Sequence, residues 1–111
     1  MNEFAFKEIG EANGGLRLYT ATPIRWSTTH TSPSTKVTLD LYSSDKSTKI
    51  VSLVSNYAIT AKEAIVRPHK AEPFKKYRVR ANVAGTTIWS NEIDVRVCNT
   101  FNMARIEVCR P

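Results

Sequence analysis

The stretch YRVRANVAGTTIWSNEIDVRV, Tyr77 to Val97, decides the fold class. Tyr77, Val79 and Ala81 alternate with Arg78, Arg80 and Asn82, so a strand through them has one apolar face and one polar face. The alternation returns in Ile93, Val95 and Val97 against Asp94 and Arg96, and between the two runs Ala84-Gly85 lets the chain reverse. The segment reads as a β-hairpin.

Working outward, KVTLDLY alternates without a fault, with Val37, Leu39 and Leu41 on one side and Lys36, Thr38, Asp40 and Tyr42 on the other. NEFAFKEI alternates more weakly through Phe4 and Phe6 and reads as an edge strand, followed by a turn at GEANGG. GLRLYT leads into TPIRW, where Ile24 and Trp26 share a face, and that parity assigns Trp26 to the core. Ser27 to Thr35 contains Pro33 and no periodicity, which makes it a loop, and SSDKST is a turn. KIVSLV offers Ile50 and Leu53 to the interior. From Asn56 to Arg67 the residues are helical on propensity and extended on context, and context favours a strand. RPHKAEPFKK, with two prolines, is a bent surface connection. About seven to nine short strands between polar turns, with no long amphipathic helix, predict an all-β, antiparallel β-sandwich.

A chain of 111 residues reads as a single domain over 1–111, able to bury about two-thirds of its unfolded surface without a metal. Its 41% hydrophobic and 23% charged residues argue against disorder and coiled coil alike. No apolar run approaches the roughly 18 residues of a membrane span, and MNEFAFKEIG lacks a signal-peptide core. For a secreted protein, Met1 is then an added start residue on a mature form.

The cysteines bear on that compartment. Cys98 and Cys109 flank NTFNMARIEV, and on alternating runs Asp94, Arg96 and Cys98 share one parity, as do Arg105, Glu107 and Cys109. A hairpin turning around Asn99 to Met103 puts both thiols on the same side, so residues 98–111 are expected to be a disulfide-closed extension strand, the alternative being two unpaired cytosolic thiols. Closing a loop of that length stabilises by somewhat under ~3 kcal/mol. Four ligands at zinc spacing are missing, and no motif implies a cofactor.

PFKKYRVRANVAGTTIWSNEIDVRV, together with Trp26 in TPIRW, resembles the last two strands and the core Trp of fibronectin type III and immunoglobulin-like domains. The order of the Gly-containing turn, PIRW, KVTLDLYSSD, YRVRA and SNEIDV is similar to the small domain of the killer-toxin-resistance (KRE/KNH) cell-wall synthesis family. That likeness covers Phe4 to about Val97. Ile93 stands where the family pattern has Phe, Trp89 is an extra aromatic before Ser90, and Cys98 to Pro111 have no counterpart. The resemblance implies a fibronectin III-like sandwich and an association with fungal β-glucan assembly at the cell surface. It transfers no catalytic residue.

Lys62, Arg67, Lys70, Lys75, Lys76, Arg78 and Arg80 face only Glu63 and Glu72 in their stretch, which therefore carries +5 of the net charge of +6. Such a surface suits an acidic partner, unless Arg78 and Arg80 pair across strands with Asp94 and Asp40. Nucleic acid is disfavoured, because few aromatics interleave with the cations as a stacking platform requires. Sugars are held by aromatic faces, for which Trp89, Tyr42, Tyr57 and Phe101 are candidates. His30 and His69 sit in loops without a nucleophile or metal partner at working spacing, and no hydrolase or metalloprotease motif occurs. The expectation is a secreted, non-catalytic binding module at a cell surface or wall, glycan binding being favoured. The alternative is a protein-interaction module, with Trp89, Tyr42, Lys75, Lys76, Arg78 and Arg80 as the candidate contacts in either case.

Overall fold

The computed structural model describes residues 4–10, 13–72, 75–101 and 106–110, with side chains described as far as residue 97. The strands are β1 (Phe4–Ile9), β2 (Leu16–Arg17), β3 (Thr22–Thr28), β4 (Lys36–Ser43), β5 (Lys49–Ala58), β6 (Glu63–Val66), β7 (Lys76–Val83), β8 (Thr86–Trp89), β9 (Ile93–Phe101) and β10 (Ile106–Arg110). Nine of them have four residues or more, and β2 is a two-residue bridge. No α-helix occurs among the described residues, so the all-β reading holds.

Two sheets result. β1, β3 and β6 form a small sheet in that order. The larger one runs β10-β9-β7-β4-β5, with β2 beside β9 and β8 beside β7. This arrangement is compatible with a sandwich, yet the large sheet curls into a half-barrel, and β2 lies parallel to β9, where the alternation predicted antiparallel pairing only. The curl has a local cause: the β4–β5 register shifts three times, between Val37 and Leu39, Leu39 and Asp40, and Leu41 and Tyr42, and each irregularity adds bend and twist.

The opening stretch forms the hairpin it predicts, with one refinement. Val83 pairs with Thr86 around a two-residue turn in which Ala84 (φ 49°) and Gly85 (φ 84°) are both left-handed. This is the type I′ geometry that matches strand twist. Its second arm is broken: β8 covers Val83 to Arg80, Ser90 interrupts, and β9 takes over at Tyr77 and Lys76. Ser90 repairs the gap, since its Oγ accepts the Val79 N–H at 2.8 Å and donates to the Asn91 carbonyl at 2.8 Å.

Core positions follow the alternation in β4 and β7, where Val37, Leu39, Leu41, Tyr77, Val79, Ala81 and Val83 are buried. In β5 the expectation fails by one residue. Val51 is the buried side chain, and Ile50 and Leu53 only pack partly against the core, because the bulged pairing with β4 rotates the strand. Asn56 to Arg67, expected as a strand, is divided: β5 ends at Ala58, a 3-10 turn spans Ile59–Ala61, left-handed Lys62 reverses the chain, and β6 begins at Glu63.

That turn is held from three directions. Ile59 N–H donates to the Thr35 carbonyl at 3.0 Å, Trp26 N–H to the Lys62 carbonyl at 3.0 Å, and the Trp26 indole Nε1–H to the Ile59 carbonyl at 2.8 Å. Trp26 is 1% exposed and lies between the Phe4 ring at 5.7 Å and the Tyr57 ring at 6.2 Å. At the other crossing between sheets, Gly15 has φ 87°, and a Cβ there would lie 2.3 Å from the Asp94 carbonyl oxygen. No side chain fits at that approach.

The backbone register sets Cys98 opposite Cys109 in the β9–β10 pair. The expected disulfide concerns side chains that lie outside the described residues, as does that of Phe101.

Trp26→Ala is expected to cost about 3–5 kcal/mol in denaturant unfolding, from the cavity and the lost indole hydrogen bond together, whereas Trp26→Phe costs less. Ala84→Asn, placing a residue tolerant of left-handed geometry before Gly85, is expected to raise stability by about 0.5–1 kcal/mol in the same measurement.

Candidate ligand-binding face

Because β4 and β7 pair in the order Tyr42↔Arg78, Asp40↔Arg80 and Thr38↔Asn82, the polar positions of two separate alternating runs meet on the outer face of the large sheet. β8 adds Trp89 opposite Arg80 and Thr87 opposite Asn82. Trp89 faces outward, half-buried, with its ring 5.1 Å from Tyr42 in an edge-to-face contact.

Cations bracket this aromatic pair. Lys46 Nζ stands 5.5 Å from the centre of the Trp89 ring, and the Arg80 guanidinium carbon stands 5.5 Å from the centre of Tyr42. Arg80 also donates through Nη1 to the Tyr42 hydroxyl at 2.8 Å and through Nη2 to Thr87 Oγ1 at 3.2 Å. Its Nε is buried and has no partner among the described residues. Each cation–aromatic contact is worth about 0.5–1 kcal/mol at such exposure, and together they hold the rings in place.

Arg78 has a different task. Its Nε donates to the Ser44 carbonyl at 2.9 Å and its Nη1 to the Ser90 carbonyl at 3.0 Å, while Glu92 sits 3.9 Å away and accepts from Ser44 Oγ at 2.6 Å. It ties the β4–β5 turn to the β8–β9 break, the two loops flanking the aromatic pair. Asp40, 7% exposed, accepts from Ser52 Oγ at 3.1 Å and has Lys49 Nζ at 3.6 Å. These are partners a buried carboxylate requires.

The expected cross-strand ion pairs of Arg78 with Asp94 and Arg80 with Asp40 are therefore replaced by others. Asp94 takes Lys76 at 2.5 Å, which raises the Lys76 pKa and lowers that of Asp94, and Glu72 takes Lys75 at 2.8 Å, which raises the Lys75 pKa. Of the seven cations in the Lys62–Arg80 stretch, Lys75, Lys76 and, at 3.9 Å, Arg78 thus have acidic neighbours. Tyr57, a candidate sugar contact on residue type alone, is partly buried and packs edge-on against the core Trp26. Of the six candidates, Tyr42, Trp89 and Arg80 form one surface, Arg78 braces it, and Lys75 and Lys76 have acidic partners.

Two features were invisible to residue-by-residue reading. Lys46 belongs to a segment legible only as a turn; the reason it reaches Trp89 is the left-handed turn at Lys46 itself, with φ 69°, and its backbone bond to Ser43. The second is a groove of about 580 Å³ lined by Ser34, Thr35, Lys36, Thr38, Asn56, Asn82 and Ala84. His30 lines a smaller recess with Phe4 and Val83, His69 is exposed, and no three His, Cys, Asp or Glu side chains gather to hold a metal among the described residues. No helix among them is long and apolar enough to cross a membrane.

Comparison of the chain with protein-family models, curated proteins and solved structures returns no match.

The turn next to Trp89 offers a direct check. Asp45 accepts from Ser43 Oγ and Ser47 Oγ, both at 2.6 Å, and from Ser47 N–H at 3.0 Å, which pulls its carboxyl down from 3.8 to about 2. A depressed folded-state pKa stabilises above the unfolded value and is lost as pH falls through the folded one. The Asp45 carboxyl is expected to titrate near pH 2 by NMR, with the turn's contribution to stability disappearing between about pH 4 and pH 2 and absent at all pH in Asp45→Ala.

Proposed function

We propose that this chain is a non-catalytic glycan-binding module, secreted and working at a cell surface or wall, and that the outer face of its large sheet is the binding surface. The observation that carries the reading is the convergence of Trp89, Tyr42 and Arg80 with Lys46 and Thr87 on one rigid sheet surface. Aromatic rings offer the apolar faces of a sugar ring a dry contact, and the ammonium, guanidinium and hydroxyl groups around them can donate to its hydroxyls. A site built on strands needs little ordering on binding, which saves association entropy. Acidic partners for Lys75 and Lys76 leave the protein-interaction alternative with less free basic surface to work with.

Within the same proposal, the finer fold is fibronectin III/immunoglobulin-like, supported by two sheets that share one core, by a buried Trp on β3 and by the β7–β9 pairing. The direct opposition of Cys98 and Cys109 in the β9–β10 register supports the disulfide, and a disulfide supports an oxidising compartment.

The test is retention on insoluble polysaccharides and titration with soluble glycans at about 0.1 and 1 M salt, where the Debye length falls from ~10 to ~3 Å. Binding to one polysaccharide that resists salt and drops at least tenfold in a folded Trp89→Ala variant is the expected result. Retention that vanishes with added salt, or that Trp89→Ala leaves unchanged, would sink the proposal.

A further inference from the structure

We infer that the groove over Thr38, Asn56 and Asn82 is a second subsite of the same surface, so that the ligand is a linear glycan of at least about three rings laid along β4 and β7. The inference rests on the glycan reading of the Trp89–Tyr42 face and extends it to a part of the surface that residue types alone did not mark.

Register makes the two features continuous. Lys36, Thr38 and Tyr42 share the outward parity of β4, and Asn82 and Arg80 share that of β7, so the groove begins one residue pair beyond Arg80. Thr87 joins them, lying opposite Asn82 while its hydroxyl accepts from Arg80. From Tyr42 to Thr38 the strand advances four residues, or about 13 Å at ~3.3 Å each, the span of about three pyranose rings. One ring alone would leave most of that strip empty.

The lining suits a neutral polyhydroxyl chain. It consists of two amides, three hydroxyls, the Ala84 methyl and a single charged group, Lys36, whose ammonium already donates to the Pro33 carbonyl at 3.1 Å. The amide of Asn82 is oriented by the turn, because its Oδ1 accepts the Gly85 N–H at 3.2 Å and its Nδ2 is left as a donor to whatever lies over the sheet. Asn56 is fixed by its left-handed backbone, φ 51°, and by its N–H donating to Thr38 Oγ1 at 3.3 Å. Aromatic contact at one end and amide–hydroxyl contact at the other give the strip a direction.

The test uses β-linked gluco-oligosaccharides of two to six rings, titrated into the whole chain and into Asn82→Asp and Trp89→Ala. Asn82→Asp retains the acceptor that the Gly85 N–H requires and removes the amide donor, so the fold is not at risk from the loss of that bond. Affinity is expected to climb at least tenfold from two rings to four and then level off. Asn82→Asp should lose about tenfold on the four- and six-ring chains and nothing on the two-ring one. Affinity independent of length but dependent on Trp89, or an equal loss on short and long chains in Asn82→Asp, overturns the second subsite alone. No binding at any length overturns the second subsite together with the glycan reading for this sugar series.

Discussion

One hydrogen bond, from the Trp26 indole to the Ile59 carbonyl, joins the two sheets at the place where the chain passes between them. Trp26 belongs to β3 in the small sheet, and Ile59 stands in the turn that leaves β5 of the large sheet for β6 of the small one. The turn takes the Ile59 and Lys62 carbonyls out of the regular strand ladder, and such groups need partners. Trp26 supplies two of them, its main-chain N–H for the Lys62 carbonyl and its side-chain N–H for Ile59, while its ring fills the space between Phe4 and Tyr57. Replacing the ring therefore removes packing and hydrogen bonding at once.

The outer face depends on that joint indirectly. With the inner side of the large sheet covered, its outward residues are held at strand spacing, and the side chains on them lock one another. Arg78 ties two loops by their carbonyls, Arg80 reaches across from β7 to the Tyr42 hydroxyl on β4, and Lys46 caps Trp89. The result is a surface whose cations are engaged by rings and carbonyls more than by carboxylates. Such cations keep their charge and can also donate to uncharged oxygens.

Much of this was legible in the sequence. The faultless alternation of β4 and β7 marked their apolar buried face, though not the burial of Asp40 on the other side, Trp26 was assigned to the core on its parity with Ile24, and Ala84-Gly85 marked the reversal. The misreadings fell where pairing overrides pattern. Val51 displaced Ile50 because the β4–β5 bulges rotate β5, and Ile59–Ala61 left the extended conformation because the chain must change sheets there. The acidic neighbours of the Lys62–Arg80 stretch were legible in part, since Glu72 is near in sequence, whereas Asp94 and Glu92 reach Lys76 and Arg78 only through the fold.

What the sequence by itself determined is which side of each strand is apolar, because the side-chain period of two is a local property of an extended backbone. It determined the all-β class and the reversals on the same ground. Which strands lie side by side was decided only in three dimensions, since pairing depends on how the apolar faces are buried together, a property of the whole chain. That choice put Trp89 beside Tyr42 and Asn82 beside Thr38, pairs separated by more than forty residues, and so created the strip on which the proposed chemistry rests.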